Sequence, residues 1–339
     1  MDKLKVGLIG LGRLGREHAS NIHYKIPQAE LTAICSSVQE EVESVASEMK
    51  PKFATNDYRE ILSNKELDAI VIASSSDVHS IMICEACQAG VKNVYTEKPM
   101  GMTLAEIEEI KDAVAANEGM VFQVGYMRRF DTSYQAAKKK IDEGFIGKPI
   151  TIKMVNRDPD AMAKYIIGFS ETSGGIIMDM LTHDYDCARW LINSDAKSVY
   201  GLGGTYKYHE LVKYGDFDNC SLLVEFKNGV MGQFEASRNS TYGFHAETEI
   251  FGTEGSIRIG ITPYKDRVTY MDSGGINVKG TDWFYEYFQP CYQAELEHFF
   301  NCVRTQEQPL IGVEDGYKTV QWAYAATNAV KKGKIITLE

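Results

Sequence analysis

Apolar positions in the first third of the chain fall into short unbroken runs, and between the runs they recur at helical spacing. The segments 5–9, 30–35, 68–73, 91–96 and 120–125 read as strands. A continuous run such as Ala69-Ile70-Val71-Ile72-Ala73 predicts a strand covered on both faces. The segments 15–24, 40–49, 78–89 and 104–117 read as helices. Strands and helices that alternate through short loops predict a doubly wound parallel sheet of the Rossmann type. Ligands of such sheets gather outside the carboxyl ends of the strands. The alternation stops near residue 125, so residues 1–125 are expected to form the first domain, built on this sheet.

The pattern then changes. A helix over about 132–143, broken by Gly144, leads to a strand at 149–157, a loop containing Asp158-Pro159 and Ser173-Gly174-Gly175, and a helix at 177–191. Two alternating runs, 222–226 and 230–235, flank Lys227-Asn228-Gly229, a strong hairpin signal. A second pair, 248–251 and 256–259, flanks Gly252-Thr253-Glu254-Gly255, and helices at 293–304 and 315–332 follow. Hairpin strands with segregated helices predict an α+β domain over 126–339 with an open, mostly antiparallel sheet. Its second face needs cover, which a further copy of the chain would supply, so a homo-oligomer, dimer or tetramer, is expected.

Composition narrows the partners. The chain has 339 residues, 44% of them hydrophobic, and a formal net charge of −11. That length suits two domains of roughly 150 residues, and the charge argues against nucleic acid, which needs a clustered basic face. The run Lys138-Lys139-Lys140 reads as a solvated helix face. No stretch is long and apolar enough for a membrane span, and no signal peptide precedes the first strand, so the cytoplasm is the expected compartment. Seven cysteines show no disulfide-like spacing. Cys84 and Cys87 sit within a helical pattern and read as buried helix positions, not as a redox pair at a helix start.

Candidate chemistry begins with Gly10-Leu11-Gly12-Arg13-Leu14-Gly15, which joins the first strand to the first helix. In that context the spacing is a dinucleotide fingerprint. Gly10 permits a tight turn, Gly12 admits a pyrophosphate, and Gly15 allows close helix–strand packing. The N–H groups at the helix start, from Arg13 and Leu14 onward, suit an anion. NAD is favoured over NADP by an acid at the end of the second strand, where it binds the ribose hydroxyls. Ser36 stands there instead, and a serine serves either cofactor.

Two further features carry chemistry. Glu97-Lys98-Pro99 ends a parallel strand and aims a lysine at the ligand side, before a proline that could be cis. Gly174-Gly175 precedes Asp179 and His183, which are four apart and so share one helix face. A carboxylate that orients a histidine suits general base work near neutral pH. A surface ion pair and a metal half-site are the plainer readings of that pair. No third ligand stands at useful spacing, so no metal is expected.

In this order and spacing, the glycine loop, the Glu97-Lys98-Pro99 triplet and the Gly174–His183 run resemble the glucose–fructose oxidoreductase/inositol dehydrogenase family over nearly the whole chain. The run Gly125-Tyr126-Met127-Arg128-Arg129-Phe130-Asp131 is similar to its inositol dehydrogenase branch, as is Asp158-Pro159. The resemblance implies an NAD(P)-dependent oxidation of a ring secondary alcohol, with myo- or scyllo-inositol as substrate. It implies a catalytic trio of Lys98, Asp179 and His183, and polyol contacts from Arg128, Asp158 and Tyr242 as well as from Asp179 and His183. It implies cofactor contacts from Gly10, Gly12, Arg13, Leu14, Gly15, Ser36, Ser74, Ser75, Glu97 and Lys98. His79 is either a cofactor contact or a routine helix N-terminal residue. Another sugar or polyol dehydrogenase, or a non-catalytic dinucleotide sensor that lacks chemistry, remains open as an alternative.

Overall fold

The computed structural model describes residues 2–260 and 264–338. The chain up to Met127, together with Pro290–Val320, forms one compact unit, and Arg128–Gln289 with Gln321 onward forms another.

The first unit contains β1 (Leu4–Ile9), α1 (Arg13–Ser20), β2 (Ala29–Cys35), α2 (Gln39–Met49), β3 (Phe53–Thr55), α3 (Tyr58–Ser63), β4 (Ala69–Ile72), α4 (His79–Gln88), β5 (Asn93–Glu97), α5 (Leu104–Ala116) and β6 (Val121–Gly125). All six strands are parallel, in the order β3-β2-β1-β4-β5-β6. That is the doubly wound order whose switch point lies between β1 and β4. The expected helix over 15–24 is α1 followed by one π-helical turn, Asn21–Lys25.

The second unit holds α6 (Thr132–Asp142), β7 (Pro149–Pro159), α7 (Ala163–Ser173), α8 (Thr182–Ile192), β8 (Ala196–Gly204), β9 (Asn219–Phe226), β10 (Met231–Ser240), β11 (His245–Gly252), β12 (Ser256–Ile259), β13 (Tyr264–Asp272) and β14 (Gly275–Gly280). The helices α9 (Phe284–Thr305) and α10 (Val313–Lys332) and the short strand β15 (Ile336–Thr337) close the chain. The sheet runs β12-β11-β7-β10-β9-β8-β15 and is antiparallel except where β7 meets β10. Both expected hairpins are present: Phe226 N–H donates to Val230 O, and Gly229 has φ +87° in the turn. Among the described residues, β13 and β14 pair only with each other.

The expected division at 125/126 assigned every later residue to the second domain. The compact units differ from it, because residues 290–320 group with the first. On α9, Leu296, Phe299, Phe300 and Val303 follow helical spacing and bury completely or nearly so against Val6, Leu8, Ala19, Ile22 and Val45. The first sheet's core is therefore finished by residues far along the chain. In the second unit, Tyr185 on α8 stacks on Trp322, with ring centroids 4.5 Å apart, and Phe226 and Phe234 meet the same indole edge-on. This packing fixes α8, which carries His183, against the sheet.

Candidate active site

The three glycines of the loop do different jobs. Gly10 has φ +95°, and a Cβ on it would sit 2.5 Å from the Ala73 carbonyl and the Ser74 nitrogen. The turn after β1 is thus pressed against the end of β4, and only glycine fits. A Cβ on Gly15 would lie 2.7 Å from the Gly10 carbonyl carbon and closer still to its oxygen. Gly12 is another case: its backbone is one any residue can adopt, and the nearest atom to a Cβ there is Glu41 Oε1 at 3.9 Å. Among the described residues nothing crowds position 12, and its open side at the start of α1 is the place where a pyrophosphate would fit. Arg13 and Leu14 open α1 at this point.

Ser36 follows β2 and is buried, with its hydroxyl donating to Glu41 Oε2 at 2.6 Å and accepting from Val38 N–H at 3.2 Å. Ser74 is half-buried and its hydroxyl faces Met82 Sδ at 3.3 Å, while Ser75 is exposed. His79 lies inside the protein, 1% exposed. Its ring nitrogens stand 2.9 Å from Pro99 O and 3.0 Å from Ser74 O. Burial pushes its pKa down, against the pull of those two carbonyls. His79 opens α4, and both of its ring nitrogens are engaged by the backbone of the Ser74 and Pro99 loops. The Lys98–Pro99 peptide is cis.

Glu97, at the end of β5, turns its side chain inward. Its side chain is buried, and Oε1 accepts from Tyr95 OH at 2.9 Å and pairs with His18 Nε2 at 2.7 Å. Its neighbour in the triplet, Lys98, is half-buried. Glu295, wholly buried, completes a cluster in which one ligand-type atom of each of His18, Glu97 and Glu295 lies within 4.8 Å of the others. Burial works against a charge on Glu97, but the hydrogen bond and charge of His18, with Tyr95 and Lys98, together hold the carboxyl down. Burial, and then the charge of Glu97, push the Glu295 carboxyl well up. Burial and the Glu97 charge thus favour the neutral form of Glu295.

In the second unit, Asp179 lies in a π-helical turn, Ile176–Met180, and His183 in the first turn of α8. The expected single helix over 177–191 is therefore two helical pieces. Between Gly175 and Ala188 every residue is buried except Asp179 and His183. Arg238, on β10 and 1% exposed, brings Nη2 to 3.6 Å from Asp179 Oδ2. Asp216 receives the N–H groups of Ile176 and Phe217, each at 2.8 Å, and sits where a Cβ on Gly175 would go. Burial raises the Asp216 carboxyl, Arg238 opposes that, and the net direction is up.

The structure brings Arg128 to an internal partner. Its Nη1 donates to Asp184 Oδ1 at 2.8 Å, both residues are buried, and Asn156 Nδ2 donates to the other Asp184 oxygen at 2.8 Å. Its expected polyol contact thus belongs to a side chain that already braces α8. Arg129 makes a parallel pair with Asp186. Asp158, at the end of β7, is half-buried. Tyr242 is 43% exposed; its hydroxyl accepts from Arg157 Nη1 at 2.7 Å and lies 2.9 Å from His245 Nδ1. Sequence reasoning missed Glu41, Arg157, Asp216, Arg238 and His245. Apart from His245, which closes the run Tyr242-Gly243-Phe244-His245, none belongs to a motif, and each reaches its place through strand pairing, a loop or a helix turn that spacing does not reveal.

Residues 4–126 match the description "Oxidoreductase family, NAD-binding Rossmann fold", and residues 134–258 match "GFO/IDH/MocA C-terminal domain". The scyllo-inositol 2-dehydrogenase (NAD(+)) of Bacillus subtilis is 36% identical, with 99% of this chain and 97% of that protein aligned. The chain belongs to the GFO/IDH/MocA oxidoreductase family. A second relative in the family, the myo-inositol 2-dehydrogenase of Thermotoga maritima, is 30% identical over 99% of both chains. A crystal structure of scyllo-inositol dehydrogenase from Lactobacillus casei with bound NAD(H) and scyllo-inositol matches with a TM-score of 0.94 at 34% identity, over 99% of both chains.

Proposed function

We propose that this member of the family is an inositol 2-dehydrogenase, oxidising the axial or equatorial ring alcohol of myo- or scyllo-inositol to a ketone with NAD or NADP. The observation that carries the reading is the Asp179/His183 pair. These two are the accessible polar residues in an otherwise buried stretch, backed by a buried arginine, in a chain similar from end to end to inositol dehydrogenases.

The nicotinamide, when bound, supplies the acceptor for the carbinol hydride. The chain's own residues handle the proton and the charge. We assign His183 to take the hydroxyl proton as general base. Asp179 orients that imidazole and favours its charged form once the proton arrives, and Arg238 keeps Asp179 in place. The Lys98 ammonium stabilises negative charge that develops on the oxygen. The loop Gly10–Gly15 holds the pyrophosphate, with Ser74 and Ser75 on the nicotinamide side, and Asp158 and Tyr242 are assigned to the polyol hydroxyls.

Absorbance of reduced nicotinamide tests the reading directly, with a panel of inositol isomers and simple sugars against both cofactors. Turnover on myo- or scyllo-inositol above that on glucose or xylose supports it. Turnover on sugars alone moves the chain to another polyol dehydrogenase, and no turnover with any polyol leaves a dinucleotide sensor. We also read the outer face of the second sheet, with Leu202, Leu223, Met231 and Phe251 exposed, as a contact between copies in a cytoplasmic dimer or tetramer. Sedimentation equilibrium tests that.

A further inference from the structure

The end of β2 lacks the acid that would hold an adenosine ribose, yet the structure has a carboxylate there. Glu41 is the third residue of α2, five positions beyond Ser36. Its Oε2 accepts from the Ser36 hydroxyl at 2.6 Å, and its Oε1 is the nearest protein atom to the open side of Gly12, 3.9 Å from where a Cβ would be. A glutamate at this helix position ordinarily reaches back to the backbone N–H of the cap residue. Here that job is taken: the Val38 N–H is bound by Ser36 Oγ. The Glu41 carboxylate is therefore turned away from its usual capping role and fixed beside the glycine loop. On the same side, Arg16 is engaged by Ser44 and Glu48, and Arg13 opens the helix beside the pyrophosphate position.

We propose that Glu41, pinned by Ser36, is the residue that reads the adenosine ribose, accepting from its hydroxyls and rejecting a 2′-phosphate by charge. Ser36 then does not leave the cofactor choice open. It relays the carboxylate that β2 lacks from the next helix, and the chain is selective for NAD. This rests on the dinucleotide reading of the loop and extends it to specificity.

The test is binding, measured by isothermal titration calorimetry of the full chain with NAD⁺ and with NADP⁺, no polyol present. Wild type is expected to bind NAD⁺ at least about ten-fold more tightly. Glu41→Gln keeps the shape and loses the charge. It should weaken NAD⁺ by about five- to ten-fold, since bonds to charged acceptors are roughly twice as strong as neutral ones. It should also tighten NADP⁺ by about ten-fold. Ser36→Ala, which keeps the charge and frees the carboxylate, should lose part of the NAD⁺ preference without gaining NADP⁺ affinity. Equal affinity of wild type for the two nucleotides overturns the proposal, as does a Glu41→Gln protein with both affinities within two-fold of wild type. Binding of neither nucleotide to wild type overturns the dinucleotide reading itself. Failure of polyol oxidation with this binding pattern intact refutes only the substrate reading.

Discussion

Arg128 offers the sharpest test of how the second unit is held together. Replacing it by Met removes the guanidinium, which lies over the Phe288 ring, and keeps most of the aliphatic stem. What is left is an Asp184 carboxylate 1% exposed, with Asn156 Nδ2 as its remaining side-chain donor among the described contacts. Removing one partner of a buried ion pair costs about 3–5 kcal/mol, chiefly because the other charge stays buried. The Asn156 bond and the retained stem place Arg128→Met near the lower end, about 3 kcal/mol. Asp184→Asn alone leaves the arginine with a neutral acceptor and should cost about 2 kcal/mol. The double variant buries no charge, so its cost should fall well below the sum of the singles, with a coupling of about 2 kcal/mol. The assay is urea unfolding followed by tryptophan fluorescence. All three tryptophans, Trp190, Trp283 and Trp322, lie in the second unit, where the pair sits. An Arg128→Met protein within 0.5 kcal/mol of wild type at unchanged m value, or additive single and double variants, would refute the assignment of Arg128 to internal bracing.

Three further outcomes are expected. Gly15→Ala should destabilise the first unit by about 2–3 kcal/mol or more, since its Cβ meets backbone, whereas Gly12→Ala should melt within about 0.5 kcal/mol of wild type and lose nucleotide binding; paired thermal melts and NAD⁺ titrations separate the two. His183→Ala should lower kcat by about 10²–10⁴-fold, the usual worth of positioned proton transfer, while NAD⁺ affinity in calorimetry is unchanged. Glu295 has its folded-state pKa raised, so its favourable contribution is complete below the unfolded carboxylate value of about 4.3 and is lost as pH climbs toward the raised one; Glu295→Gln, neutral at every pH, should flatten that alkaline decline, and a decline identical to wild type in pH-dependent melts counts against the buried neutral carboxyl.

The first sheet was legible because parallel strands covered on both faces are written as unbroken apolar runs, and the run 68–73 contains β4, Ala69–Ile72. The loop glycines were legible because the demand for φ > 0 and close approach selects one residue type. β3 and α3 were missed: β3 has three residues at the sheet edge with Phe53 exposed, too short and too wet for any period to register. α7 and β8 were also not read, although Tyr165 and Leu202 are among their exposed large side chains. The site divided in the same way. Lys98, Asp179 and His183 belong to motifs, while Arg238 and Glu41 sit in ordinary strand and helix stretches and acquire meaning from a partner far off in sequence or around a turn. The direction of Glu97 and the burial of His79 were invisible for a related reason: which way a side chain faces at a strand end depends on what packs there.

Leu296, Phe299, Phe300 and Val303 also constrain how this protein can be made. The nucleotide-binding half is encoded first, but its hydrophobic core lacks a wall until α9 has been synthesised. At 5–20 residues per second, the ribosome needs roughly ten to forty seconds between the end of β6 and the end of that wall. During that interval the newborn sheet exposes the surface that Phe299 and Phe300 will later cover. The half that looks most like an autonomous module is, on the ribosome, the half that has to wait.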